Sequence, residues 1–210
     1  PSFDPQLFWT LLLAQKETPS FTWYYAAPTM HQVILGSMPA GTAKPPKLRM
    51  IANAAGGLLP SLAQELRAGF GANVLPSYGM TECMPISSPP ANYKLEKPGT
   101  SGVAVGPEIT IFSSNFEVLP PSMEGSICVR GRPCFHGYEG QTQESSFLEG
   151  GWFNTGDLGY LDEDGYLYIT GRSKEVINRG GEIISPTEVE EEVSNHPTVD
   201  ACLAFSAPHA

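Results

Sequence analysis

Four short segments carry side chains whose types and spacing could do chemistry. In Ser77-Tyr78-Gly79-Met80-Thr81-Glu82, an aromatic face, a flexible glycine, a hydroxyl and a carboxylate fall within a few residues of a strand-like Val74-Leu75. Such a set can stack a base, bind a phosphate oxygen and hold a metal. An ordinary strand-end loop, with Tyr78 packed and Glu82 solvated, would read the same way. Asn53-Ala54-Ala55-Gly56-Gly57-Leu58 also follows a strand-like run, and small residues there let a flat ligand approach the backbone; a plain turn has the same composition. In Trp152-Phe153-Asn154-Thr155-Gly156-Asp157-Leu158 one carboxylate could accept from two vicinal hydroxyls, as ribose recognition requires. A Gly-Asp β-turn is the alternative. Finally, Gly171-Arg172-Ser173-Lys174-Glu175 places two cations beside Ile177-Asn178-Arg179-Gly180-Gly181-Glu182. That reads as a linker facing an anionic ligand, or as a solvated linker followed by a hairpin.

The elements that position these segments change character along the chain. Asp4-Pro5 gives an N-cap and a proline at the first helical position, with Leu7, Phe8, Leu11 and Leu12 at helical spacing behind it. Pro28 opens a second helix through Met30, Val33 and Ile34, and Pro60 a third whose Leu62, Leu66 and Phe70 share a face. Strand signals at residues 21–25, 48–52 and 74–75 alternate with them, so crossover connections and a parallel sheet are expected. Between about residues 100 and 170 short strands with Gly and Pro turns take over, at 108–112, 126–130 and 166–170. They predict an antiparallel barrel or curled sheet, with a turn at Asp164-Gly165. Beyond Gly171, residues 175–178 are strand-like, Ser185-Pro186-Thr187-Glu188 is a capping box, and residues 199–205 read as a further strand. The fold class is therefore α/β, organised as a parallel-sheet subdomain (1–100), an antiparallel β-barrel-like subdomain (101–170) and the start of a small α+β domain (171–210).

Composition narrows the partners. Twelve Lys and Arg against 22 Asp and Glu give a net charge of −10 with no basic block, a poor match for a nucleic-acid backbone. No apolar run is long enough for a transmembrane helix. Cys83, Cys128, Cys134 and Cys202 are scattered, without the pairing of a zinc site. These features lead us to expect a soluble protein of a reducing compartment.

Taken in order, the segments resemble the adenylate-forming superfamily of acyl-CoA synthetases, luciferases and nonribosomal adenylation domains. YGMTE (78–82) matches its Tyr-Gly-x-Thr-Glu motif, and GWFNTGDLGYLDEDGYLYITGRSKEVINRGGEIISPTEVEE (151–191) matches its Thr-Gly-Asp segment, linker and following hairpin. GSICVRGRPCFHGY (125–138) looks like its barrel motif. TWYYAAPTMHQVIL (22–35) and INRGGEIISP (177–186) look most like the acyl-CoA synthetase branch that includes oxalate–CoA ligases and fungal nonribosomal-synthetase-like and reductase-like relatives.

The resemblance implies that Gly56, Gly57 and Tyr78, with Gly79 beside it, hold the adenine of ATP or AMP. It implies that Thr81 contacts the α-phosphate, that Glu82 binds Mg²⁺, and that Asp157 and Arg172 hold the ribose. It makes Lys174 the hinge of a mobile C-terminal domain, lines a pantetheine tunnel with Gly180 and Gly181, and puts His31, Ala54 and Ala55 at the acyl pocket. A hydrogen-bonded helix histidine is an equal reading of His31. The implied reaction joins a small-molecule carboxylic acid to CoA, or to the phosphopantetheine of a carrier protein, through an acyl-adenylate. The family's phosphate-binding loop and adenylation lysine occur nowhere in the sequence, so we expect the 210 residues alone to be inactive, with apolar sheet faces exposed. Two alternatives stand beside this: a carrier-linked adenylation domain, and a truncated non-enzymatic nucleotide-binding protein. The resemblance is compatible with a cytoplasmic or a peroxisomal location.

Overall fold

The computed structural model describes residues 3–14, 21–42, 44–45, 47–140, 147–179, 182–194, 196, 198–199 and 202–207. It divides into two compact units, residues 1–103 and 104–210.

The first unit begins with α1 (Pro5–Leu13), where Asp4 caps the amides of Gln6 (2.9 Å) and Leu7 (3.1 Å) and Pro5 needs no partner for an N–H. Helices α2 (Pro28–Gly36) and α3 (Pro60–Phe70) also start at proline. Helix α3 stops at Gly71, whose φ of 69° only glycine adopts freely and whose N–H closes the last turn on the Arg67 carbonyl at 2.9 Å. Helices α2 and α3 are the crossovers of a parallel sheet, β1 (Trp23–Ala26), β2 (Met50–Asn53) and β3 (Asn73–Pro76), paired in that order with Ala26, Asn53 and Pro76 in register at the carboxyl edge. The expected parallel arrangement is present.

Trp9, Ile34, Ile51, Leu66, Phe70 and Val74 form the buried core of this unit. Trp9 stacks on Phe70 at 5.3 Å and donates its indole N–H to the Ile34 carbonyl at 3.0 Å, so one side chain joins all three helices. On the edge strand β1, Trp23 and Tyr25 remain about half exposed, as does Phe21 just before it, so the expected apolar exposure is found. Past β3 the chain makes a hairpin of β4 (Tyr78–Met80) and β5 (Cys83–Ser88), with β6 (Val103–Ala104) as a third strand.

The second unit is built on an antiparallel sheet of β7 (Glu108–Phe112), β8 (Gly125–Arg130), β9 (Phe153–Leu161) and β10 (Leu167–Arg172), in sequence order. The expected antiparallel subdomain is thus an open curled sheet; among the described residues it does not close into a barrel. Asp162 Oδ1 accepts the amides of Asp164 (3.0 Å) and Tyr166 (2.9 Å), setting the turn between β9 and β10. The hairpin of β11 (Ile177–Arg179) and β12 (Glu182–Ile184) follows, then α4 (Pro186–Ser194). Ser185 Oγ takes the Glu188 amide at 3.4 Å and donates to the Thr170 carbonyl, so the capping residue also ties α4 to the end of β10.

Of the strand expected at 199–205, residues 200 and 201 lie outside the described residues, and the described remainder does not form it. Residues 202–207 make no ladder, and Leu203 and Phe205 stand in solvent with the Ala204 amide bonded to Glu190 Oε1 at 2.8 Å. An apolar run becomes a strand only where it finds a neighbour to pair with.

Replacing Trp9 by Ala removes the stacked indole from a closed core and is expected to cost about 3–5 kcal/mol. A urea titration followed by circular dichroism should show a clearly lowered midpoint; an unchanged midpoint would mean that α1 contributes nothing to the unit.

Candidate active site

In the first unit three loops leave the carboxyl edge of the parallel sheet, where open α/β sheets bind ligands. The loop after β2 carries Ala54, Ala55, Gly56 and Gly57. Ala54 is buried and its amide continues the ladder to the Ala26 carbonyl at 3.2 Å. Ala55 sits at φ 63°, a left-handed conformation that costs a non-glycine residue about 1 kcal/mol. Gly56 and Gly57 are exposed, and a Cβ at Gly57 would meet nothing within 4 Å, so a flat group could lie against bare backbone there. Asn53 holds the loop in shape. Its Nδ2 donates to the Gly56 carbonyl at 2.9 Å, while its Oδ1 is buried with no partner. Sequence reasoning gave this asparagine no role of its own, since an amide at a strand end looks like turn chemistry.

The loop after β3 is more ordered than expected. Tyr78, Gly79 and Met80 form β4, and Thr81-Glu82 is the two-residue tip of its hairpin with β5, where Met80 pairs with Cys83. The ladder then slips, with Tyr78 opposite Ser87. Pro85 lies in that interval without an N–H to give. A Cβ on Gly79 would stand 3.2 Å from Met84 Cγ, so glycine lets the two strands close here. Tyr78 is half-buried, Thr81 exposed and Glu82 half-buried. The strand adjacency of β2 and β3 thus sets Gly56-Gly57 and Tyr78–Glu82 on one edge.

His31, on α2 behind the end of β1, is sealed at 0% exposure. Its Nδ1 lies 3.4 Å from the Tyr24 hydroxyl, whereas Nε2 has no hydrogen-bond partner. Burial lowers its pKa to about 4, offset in part by the backbone at Ala26, and burial raises that of Tyr24. The ring is therefore neutral at pH 7. Contact between this ring and an acyl group requires a neighbour to move.

In the second unit Asp157 is the buried carboxylate, 6% exposed, and Arg172 Nε approaches its Oδ1 at 3.2 Å. The pair is a consequence of register, because Arg172 lies directly opposite Asp157 on the neighbouring strand. Lys174 is exposed in the turn after β10. Gly180 and Gly181 lie outside the described residues. A run read as a motif or a Gly-Asp turn is thus a nine-residue strand, β9, with glycines at both 156 and 159. At Gly159 a Cβ would fall 2.1 Å from the Tyr168 carbonyl oxygen, so no other residue fits.

Among the described residues no three His, Cys, Asp or Glu side chains gather to hold a metal. Glu82 offers one carboxylate at a hairpin tip. That donor set suits Mg²⁺, which keeps several waters and takes its remaining ligands from phosphates. Thiol chemistry is disfavoured at Cys128, whose pKa burial pushes up to about 11. No helix among the described residues is long and apolar enough to cross a membrane.

Comparison with known proteins matches residues 2–139 to the AMP-binding enzyme family. A probable CoA ligase of Humulus lupulus is 40% identical over 98% of the chain and 39% of its own length. The oxalate–CoA ligase of Arabidopsis thaliana is 42% identical over 89% of the chain and 37% of its own length. The ATP-bound crystal structure of MatB from Rhodopseudomonas palustris superimposes with a TM-score of 0.88 at 32% identity, covering 100% of this chain and 41% of that one. The o-succinylbenzoate CoA synthetase MenE of Bacillus subtilis, in complex with ATP and magnesium, gives 0.75 at 36% identity, covering 86% of this chain and 38% of that one. The chain spans about two-fifths of the length of these relatives.

Because folded His31 titrates near 4 and an unfolded histidine near 6.5, the unfolded chain binds the extra proton between those values. Stability should therefore fall as pH drops through that window, by about 3 kcal/mol in full. Urea midpoints measured from pH 7 to pH 4 should show the decline in the wild type and a shallower one in His31→Gln. Parallel curves would mean that the ring takes up its proton at the same pH in the folded and the unfolded chain.

Proposed function

The chain belongs to the AMP-binding enzyme family, and from that premise we propose that it is the central part of an ATP-dependent acid–CoA ligase. In the first half-reaction a carboxylate oxygen attacks the α-phosphorus of ATP. The bond to the bridging oxygen breaks, and pyrophosphate leaves with the displaced electron pair. In the second, the sulfur of CoA attacks the acyl carbonyl and AMP departs, so that the thiol proton is lost and a thioester remains.

The residue roles are those that the family resemblance implies, and the local chemistry of the described residues is compatible with them. Gly56-Gly57 offers bare backbone and Tyr78 a ring face on the same sheet edge, which together suit the two faces of an adenine. The exposed Thr81 hydroxyl donates to an α-phosphate oxygen. Glu82 would hold magnesium, which when bound would supply the positive charge needed as one anion approaches another. Asp157 accepts from the ribose hydroxyls, with Arg172 fixing the carboxylate by its 3.2 Å contact. Lys174, exposed at the end of the ordered sheet, is the pivot at which the following hairpin and helix reorient, and Gly180-Gly181 lines the path of the pantetheine arm. His31, Ala54 and Ala55 shape the acyl pocket, His31 from behind the ring of Tyr24. The observation that carries this reading is the emergence of the Gly56-Gly57 and Tyr78–Glu82 loops on one carboxyl edge of a parallel sheet. The relatives named as CoA ligases favour free CoA over a carrier-bound thiol as acceptor.

The test is acid-dependent exchange of pyrophosphate into ATP by the protein that joins this chain to the rest of its relatives' length. Oxalate, sulfoacetate, ferulate and 2-succinylbenzoate, the acids named for the relatives, form the panel. At least one acid should support exchange, and Glu82→Gln should lower kcat by about 100-fold or more. The 210 residues alone should give none. Exchange with no acid of the panel, or a fully active Glu82→Gln variant, would sink the ligase reading; exchange by the isolated chain would sink its being a part.

A further inference from the structure

The carboxylate of Asp157 sits on an interruption of the sheet rather than on a regular strand. On β8, Ser126 pairs with Leu158 and Cys128 with Asn154, so the single residue Ile127 faces Thr155, Gly156 and Asp157 together. On the other side Thr170 is extra between Ile169, opposite Gly159, and Gly171, opposite Leu158. Bulges of this kind strip backbone groups of their ladder partners and re-aim a side chain.

Side chains of the bulge itself satisfy those groups. Thr155 Oγ1 donates to the Ile127 carbonyl at 2.9 Å and accepts the Asp157 amide at 3.2 Å. Asn154 Oδ1 accepts the Gly156 amide at 2.9 Å. Ser173 gives both its N–H (2.9 Å) and its hydroxyl (3.0 Å) to the Gly156 carbonyl, and Gly156 itself sits at φ 80°, where a side chain would be strained. Thr155 touches both the neighbouring strand and the amide of Asp157. A hydroxyl there does the work of a ladder N–H and fixes the residue two positions on.

We propose that Thr155 is the positioning residue of Asp157: its hydroxyl, anchored on the Ile127 carbonyl, sets the carboxylate at the angle needed to accept from a ribose. Valine has threonine's shape and lacks this bridge, while serine keeps it. The inference rests on the reading of Asp157 as the ribose acceptor, so its test has two independent readouts on the protein that joins this chain to the rest of its relatives' length.

The first is amide exchange by NMR. In Thr155→Val the Asp157 amide should exchange about tenfold faster, the loss of one hydrogen bond, with amides of β7 unchanged, and Thr155→Ser should restore protection. The second is calorimetric binding of AMP against the analogue lacking both ribose hydroxyls. Wild type should prefer AMP; the preference should fall about tenfold in Thr155→Val and return in Thr155→Ser, with affinity for the analogue unaltered. Unchanged Asp157 exchange, or equal acceleration throughout the sheet, overturns the positioning role. A wild-type chain with no preference overturns the ribose reading of Asp157 instead, and leaves the exchange measurement to decide on Thr155.

Discussion

Every backbone N–H and C=O that a strand carries out of water must find a partner, and the places where regular ladders end or slip organise this chain. In the first unit the parallel ladder ends at one level, with Ala26, Asn53 and Pro76 in register. The next amides are taken up in sequence: Ala54 by the Ala26 carbonyl, Ser77 by that of Asn53. Parallel pairing thus delivers the β2 and β3 loops to one edge. In the second unit the antiparallel ladder slips at β9, and Thr155, Asn154 and Ser173 close the gap.

The same constraint explains the glycines. Bare backbone at Gly56-Gly57 leaves room beside a strand end, Gly79 lets a slipped hairpin close, and Gly159 admits the Tyr168 carbonyl. Their freedom has an entropic cost in the unfolded chain, which the surrounding packing must offset. That packing is dense in the first unit, where Trp9, Phe70 and Tyr24 lie within 6 Å of one another's ring centres in the pairs Trp9–Phe70 and Tyr24–Phe70. The irregular loops stand on a rigid base.

The helices were legible because their signals are local. Proline at the first position, Asp4 as a cap and the 62/66/70 stripe need no knowledge of the rest of the fold. Strands at 108–112 and 126–130 were legible for the same reason. Strand β9 was not, since Asn, two glycines and Asp argue against a strand, and only pairing on both sides overrides that preference. Residues 202–207 failed in the opposite sense: the run is apolar and strand-like, yet among the described residues it pairs with no strand. For the candidate site, the identities of Tyr78, Glu82, Asp157 and Arg172 could be read from motifs. The Asn53–Gly56 bond and the Thr155–Ile127 bridge depend on register and could not.

A net charge of −10 is an awkward setting for a nucleotide triphosphate and a carboxylate. The long-range field repels both, although at physiological salt it is damped beyond about 8 Å. Recognition on the proposed reading therefore has to be short-ranged and donor-rich where the phosphates lie, through a hydroxyl at Thr81 and through magnesium, whose charge turns the carboxylate of Glu82 from a repulsive group into a ligand. Asp157 fits the same logic from the other side. A ribose is neutral and offers only O–H donors to an acceptor, so a carboxylate is useful there and would be harmful against a phosphate. Its buried position also needs a charge partner, which Arg172 provides from the facing strand. On the proposed reading the sugar would meet an acceptor, and the phosphates donors and metal.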